Sequence, residues 1–216
     1  EHARRAMEGD TGKLIVQGFT EKSGMRLLNY FPLGYRVFYT KKPIKSMDDL
    51  KGLRLRVPNI PLYINFAKEC GISGQPMPFA EVPSALDQGV IDGGDSPLQD
   101  VRALKMYEIA PYITRTRHIL VIHSLYINEA FYQGLGKQEQ GWIDEAAKRS
   151  ADDVWGLVMK EEKEIPDEIT KAGAKIADLS PDFRKQVVEA AHRSWKLFYD
   201  TAPNAKAILE SADKYR

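Results

Sequence analysis

Between Leu53 and Val57 apolar and charged residues strictly alternate. Leu53, Leu55 and Val57 fall on one face of an extended segment, and Arg54 and Arg56 on the other. The same kind of pattern divides the rest of the chain. Leu14, Ile15 and Phe19 share a face in a helix expected from Asp10 or Thr11 to Ser23, with Gly24 past its end. "MRLLNYF" and "RVFYT" read as two strands joined by a turn at Pro32–Gly34, and Ser46 with Asp49 as a capped turn before strand 53–57. A helix opens at Pro61 and stops at Gly71, "GQPMPF" is extended, and "AEVPSALDQG" is a helix ending at Gly89. "VIDGG" reads as a short buried strand and "SPLQDVRALKMYEIA" as a helix. Alternation on this scale predicts an α/β fold whose parallel or mixed sheet is covered on both faces.

The run 112–128 stays extended for longer than an ordinary strand and reads as a crossing between two lobes. Residues 138–164 carry a continuous charged amphipathic pattern that Pro166 is expected to stop. "KIADLS" predicts a last strand, Ser180–Pro181 opens a helix to about Tyr199, and Pro203 begins a final turn.

Composition narrows the function classes. The 216 residues carry 31 Lys plus Arg against 30 Asp plus Glu, a net charge of +1, which lacks the basic footprint of a nucleic-acid binder. No stretch approaches the length of an apolar membrane span. "EHARRAMEGD" has neither an initiator Met nor a signal-peptide pattern, so the chain reads as a mature or truncated piece. Cys70 is the single cysteine, which excludes an internal disulfide and a cysteine metal cage. His2, His118, His123 and His192 show no metal-ligand spacing, and neither a nucleophile elbow nor a phosphate-loop spacing is present.

What remains is a site for binding. Arg56 stands at the carboxyl end of a predicted parallel strand, where open α/β sheets bind ligands, and a guanidinium grips an anion through two parallel hydrogen bonds. A salt bridge to Asp48 or Asp49 is an equally good account of Arg56 and the better one for Arg54. Phe79, held before a helix by Pro76 and Pro78, can wall a pocket or pack in the core. Ser96, after the glycines of "VIDGGDSP", can cap a helix or donate to a bound oxygen, with capping the simpler role. Asp92, Asp95 and His118 contain the groups of an acid/base set without any spacing that demands one.

The segment "PIKSMDDLKGLRLRVPNIPLY…QPMPFAEVPSALDQGVIDGGDSPL" resembles the DctP-type solute-binding proteins of tripartite ATP-independent periplasmic (TRAP) transporters. Their pattern runs "PI.s..DLKGLK.RV" and then "PTPM.F.EVY.AL..G.VDG.EN"; the match is close over residues 36–98 and looser in the flanking helices. The resemblance implies a two-lobed, periplasmic-binding-protein-like flytrap with mixed sheets, a long bracing helix over 138–164 and an incomplete first lobe. Residues 1–33 and 122–161 would be the remnant of lobe I, and 34–121 with 162–216 lobe II. It implies that Arg56 holds a ligand carboxylate, that Arg36 assists or takes a second anionic group, and that Phe79 covers the carbon skeleton. Asn59 matches a polar family position, and Ser96 replaces a pocket asparagine. His123 falls where the crossing strand passes the cleft.

The expected protein is a bacterial periplasmic receptor for a small organic acid such as a C4-dicarboxylate or sugar acid. It would deliver its ligand to TRAP membrane subunits, with no catalysis, cofactor, metal or nucleic-acid partner. The rival readings are an α/β enzyme acting on a carboxylate substrate and the effector-binding domain of a transcription regulator.

Overall fold

The computed structural model describes residues 2–201 and 204–215, so the turn expected at Pro203 lies outside the described residues. In chain order the elements are α1 (His2–Glu8), α2 (Asp10–Ser23), β1 (Met25–Thr40), β2 (Arg54–Val57), α3 (Pro61–Glu69), β3 (Ser73–Pro76), α4 (Val82–Asp87), β4 (Gly93–Pro97) and α5 (Leu98–Ala103). There follow α6 (Met106–Ile109), β5 (Tyr112–Arg115), β6 (Leu120–Asn128), α7 (Glu129–Gly134), α8 (Lys137–Lys171), β7 (Lys175–Asp178), α9 (Pro181–Thr201) and α10 (Ala205–Asp213). Short 3₁₀ turns at Asp48–Leu50 and Phe79–Glu81 introduce β2 and α4.

The chain groups into two compact units, one of Glu1–Pro32, Ile122–Leu157 and Tyr199–Arg216, the other of Leu33–Val121 and Val158–Phe198. In the first, α10 packs on α2, and Thr11 Oγ1 donates to Ser211 Oγ at 3.0 Å. Tyr199–Arg216 therefore groups with the N-terminal helices, whereas the family resemblance implied 162–216 together with 34–121. Asn128 caps α7 by accepting from Phe131 N at 2.9 Å.

The sheet runs β3-β2-β4-β1-β5-β7, with β6 pairing to β1. β2 is parallel to β3 and β4, β1 is antiparallel to β4 and β5, and β5 is parallel to β7, so the sheet is mixed. In the second unit the alternation along β1 feeds two cores. Val37 and Tyr39 join Ile91, Ile113, Ile165 and Ile169 on one face, while Phe38 joins Leu55, Val57, Phe66 and Phe183 on the other.

Three boundaries differ from expectation. "MRLLNYF" and "RVFYT" form the single strand β1, because Gly34, at φ +136, carries the chain on extended where a turn was expected. The run 112–128 breaks into β5 and β6 at Arg117, which takes the left-handed φ of +49. Helix α8 continues through Pro166 to Lys171. An interior proline costs about 3 kcal/mol, but Ile165 and Ile169 on that last stretch are both fully buried, and their burial outweighs it at about 1.5–3 kcal/mol each.

Candidate ligand-binding site

The register places the two expected arginines on opposite faces of the sheet. Arg56 lies level with Gly94 of β4, which pairs with Tyr39 of β1, so Arg56 shares the face of Tyr39 and Ser96. Arg36 lies on the face of Phe38 and Asp95.

Arg54 is answered by a carboxylate. Its Nη2 donates to Asp92 Oδ1 at 2.7 Å, and its Nε and backbone N donate to Asp92 Oδ2 at 3.1 and 3.0 Å. The hydrogen bonds from Arg54 hold the Asp92 carboxyl below the ordinary carboxylate range. The salt bridge expected for Arg54 therefore exists, with Asp92 in place of Asp48 or Asp49. Asp48 pairs with Lys51 at 2.6 Å, and Asp49 accepts from the backbone N of Lys45 and Ser46, both at 2.9 Å. Because the Arg54–Asp92 pair is solvent-exposed, Arg54→Ala is expected to change stability by no more than about 1 kcal/mol. It should also leave ligand affinity within about twofold, checked by thermal melting and calorimetry.

Arg56 differs in kind. It is 6% exposed, and among the described residues no carboxylate stands within salt-bridge distance of it. Its Nε and Nη2 both donate to the backbone carbonyl of Met77, at 3.2 and 3.1 Å, and its guanidinium lies 5.5 Å from the Phe79 ring centroid. Burial pulls its pKa down. The Met77 carbonyl is available because Pro76 and Pro78 flank it, two residues without an N–H that keep the chain extended beyond β3. One edge of the guanidinium is thus occupied, and the Nη1–Nη2 end is left to receive an anion. Burying a charge is expensive, and Asp95 and Asp100 offset part of that cost from beyond salt-bridge distance, so an anion on the Nη1–Nη2 end would offset more.

Arg36 already has a counter-ion. Its Nε donates to Asp95 Oδ2 at 2.6 Å and its Nη2 to the Asp95 carbonyl, with both side chains buried. His118 Nε2 lies 3.2 Å from the same Oδ2, and Thr116 Oγ1 stands 2.7 Å from His118 Nδ1. The His118 ring stacks on Phe66 at 4.8 Å. Burial alone would push the Asp95 carboxyl up, but the His118 hydrogen bond and the Arg36 charge prevail and hold it down to about 2. The Arg36 guanidinium also lies 4.9 Å from the ring centroid of the half-buried Tyr63. Asp95 and His118, open to acid/base use on sequence grounds, are thereby committed to Arg36, and Asp92 to Arg54.

The other expected positions fall as follows. Phe79 is half-buried at the start of its 3₁₀ turn, beside Arg56 and against the core. Asn59 is exposed on the turn between β2 and α3. Ser96 sits inside β4 opposite Val37, not at a helix cap, and its buried Oγ has no hydrogen-bond partner. His123 is exposed on β6 in the first unit, edge-on to Phe31 at 5.8 Å. The structure thus joins Arg56 with Phe79, and Arg36 with Asp95. Sequence reasoning missed the Met77 carbonyl, for which the Pro-Met-Pro spacing was a signal, and Tyr63, for which there was none.

Among the described residues no group of three or more His, Cys, Asp or Glu could hold a metal ion, and no helix is long and apolar enough to cross a membrane. Burial pushes the Cys70 thiol up to about 12, which leaves it unreactive. A 460 Å³ depression lined by Asp10, Lys13, Leu14, Glu210 and Lys214 mixes both signs of charge at an open surface in the first unit and has none of the features found at Arg56.

Comparison with known proteins gives a consistent result. A TRAP periplasmic solute-binding protein from Desulfovibrio desulfuricans, solved with bound sn-glycerol-3-phosphate, is 66% identical at a TM-score of 0.97, covering 100% of this chain and 69% of that one. One from Haemophilus influenzae RdAW, with bound L-gulonate, is 33% identical at a TM-score of 0.93, covering 100% and 70%. The sialic acid-binding periplasmic protein SiaP of Vibrio cholerae is 32% identical over 183 residues, 84% of this chain and 57% of that protein. The chain spans about three fifths of the length of the curated relatives it matches. The family model for bacterial extracellular solute-binding protein, family 7, matches residues 1–202, and the chain belongs to that family, the DctP family, with its two-lobed mixed α/β fold.

Proposed function

We propose that the protein is the periplasmic receptor of a TRAP transporter and that it captures a small organic anion on Arg56. One observation carries this reading: Arg56 is buried with no salt bridge to a carboxylate among the described residues, while the two arginines nearest to it in the sheet each hold one. The anionic head of the ligand takes the Nη1–Nη2 end, Phe79 covers its carbon skeleton, and Asn59 meets a hydroxyl. Arg36, already neutral with Asp95, shapes the site and contributes no second free charge. His123 enters by family likeness alone. The two compact units correspond to the two lobes, and the membrane subunits of the transporter are the downstream partner.

The ligand class is a polyol carrying one terminal anionic group, either a phosphomonoester or a sugar acid. Bound sn-glycerol-3-phosphate in the 66%-identical protein supports the first, and bound gulonate in the 33%-identical one supports the second. Hydrogen bonds to charged groups contribute about 1.5–3 kcal/mol each, so one end-on Arg56 pair with a few neutral contacts reaches the roughly −8 kcal/mol of a micromolar receptor. No bond is made or broken, because the groups that could serve as acid or base are held in ion pairs.

Calorimetry on the full-length protein tests this with sn-glycerol-3-phosphate, L-gulonate, D-glucuronate and uncharged glycerol. At least one anion is expected to bind at a Kd of about 10 μM or tighter, corresponding to about −7 kcal/mol, with no detectable binding of glycerol. Equal affinity for the neutral polyol would remove the electrostatic basis of the proposal.

A further inference from the structure

Beneath Arg56 lies a polar arrangement that an apolar core does not need. Tyr39 is fully buried within a hydrophobic cluster, yet neither its hydroxyl nor that of Ser96 makes a hydrogen bond of ordinary geometry; the two hydroxyls have each other and the Arg56, Arg36 and Asp95 charges as polar company. Both residues point to the same face as Arg56. Gly94 makes the arrangement possible. A Cβ on Gly94 would sit 2.3 Å from Tyr39 Oη and 3.3 Å from Arg56 Cβ, so the phenol tip and the base of the arginine side chain share the space which that missing side chain leaves. The glycine admits a tyrosine hydroxyl and does not serve as a backbone cradle.

A phenylalanine would fill the same core volume without a stranded hydroxyl, and an unmade buried hydrogen bond lowers stability. An unpaired buried polar group in a native fold points to a function that compensates for it. Burial pushes the phenol pKa up, so Tyr39 stays neutral and leaves the Arg56 charge undiminished.

We infer that Tyr39 is a positioning residue for Arg56: its hydroxyl, lodged in the space left by Gly94, supports the guanidinium from below. The Nη1–Nη2 end is thereby kept turned outward when an anion draws on it. The Met77 carbonyl holds the Nε edge, and the Tyr39 hydroxyl lies beside the base of the arginine side chain, where it is free to accept when an anion draws on the guanidinium. The inference rests on Arg56 being the anion-binding group.

The test is Tyr39→Phe in the full-length protein, read by calorimetry with sn-glycerol-3-phosphate and L-gulonate and by thermal melting without ligand. Loss of the hydroxyl is expected to weaken the binding of whichever anion the wild type takes by about tenfold, with Tm unchanged or raised. That opposite movement separates positioning from packing. Unchanged affinity overturns the inference, and so does weaker binding accompanied by a lower Tm, which would mark the hydroxyl as a structural bond. Arg56→Lys is measured in parallel. If it binds as the wild type does, the reading of Arg56 itself fails; if it loses binding while Tyr39→Phe keeps it, only the role of Tyr39 fails.

Discussion

Arg56→Lys is expected to weaken anion binding by about 30- to 1,000-fold while leaving the fold intact. Removing one partner of a buried, hydrogen-bonded charge pair costs about 2–5 kcal/mol of binding; because lysine keeps the charge, the loss here is about 2–4 kcal/mol, each 1.4 kcal/mol being about a factor of ten. Lysine keeps the positive charge, so the size of the loss measures the planar fork. Its compact ammonium cannot hold the Met77 carbonyl through one edge and present two parallel donors through another. Stability should change little, because Arg56 has no carboxylate partner to orphan. A thermal melt within a few degrees of wild type, beside a calorimetric Kd raised by one to three orders of magnitude, is the expected pair of results. An unchanged Kd would return Arg56 to a purely structural role.

The second large effect lies on the opposite face of the sheet. Asp95→Asn leaves the Arg36 guanidinium buried without its counter-ion and takes a charged acceptor from His118. Breaking a buried ion pair by removing one partner costs about 3–5 kcal/mol. For a chain of this size that corresponds to a fall in Tm of roughly 6–20 °C, measurable by calorimetric or circular-dichroism melting. The same pair predicts a pH dependence. The folded Asp95 carboxyl titrates at about 2, below its ordinary value near 4, so the folded state holds its proton less tightly than the unfolded chain. The stability due to Asp95 is therefore fully present above about pH 4 and is lost as pH falls from there through about 2. A melting temperature that falls over this range in the wild type, with a shallower fall in Asp95→Asn, is the expected outcome. Parallel curves would show that Asp95 contributes nothing to acid sensitivity.

The two predictions separate what looked alike along the chain. Arg36, Arg54 and Arg56 are three arginines in strand-like surroundings; Arg56 was open to both a ligand role and a salt-bridge role, Arg54 read as a salt bridge, and Arg36 had a ligand role from the resemblance alone. In the fold Arg54 meets Asp92, 38 residues on, and Arg36 meets Asp95, 59 residues on. Arg56 meets a carbonyl. The carboxylates close in sequence, Asp48 and Asp49, are engaged locally. Spacing along the chain carries no information about strand register, and the register of β2 and β1 against β4 decides which arginine is neutralised.

Other differences have equally specific causes. Pro166 reads as a helix stop because local propensity penalises it, and the buried isoleucines on either side override that penalty. Ser96 before a helix reads as a cap, yet α5 starts two residues later, after Pro97, and the serine is taken into β4. The role of Gly94 was invisible, because it depends on a tyrosine 55 positions away arriving across the sheet.

The sequence by itself determined the α/β class, the face on which Arg56 stands relative to Leu55, and membership of a family of solute receptors. All three follow from local alternation and from short motifs whose residues lie close together. The tertiary structure decided that Arg56 has no salt bridge among the described residues, that Arg36 has one to Asp95, and that the Tyr39 hydroxyl reaches the space beside Gly94 and Arg56. Charge compensation and burial are properties of what surrounds a side chain in space, and those neighbours come together only when distant strands take up their register.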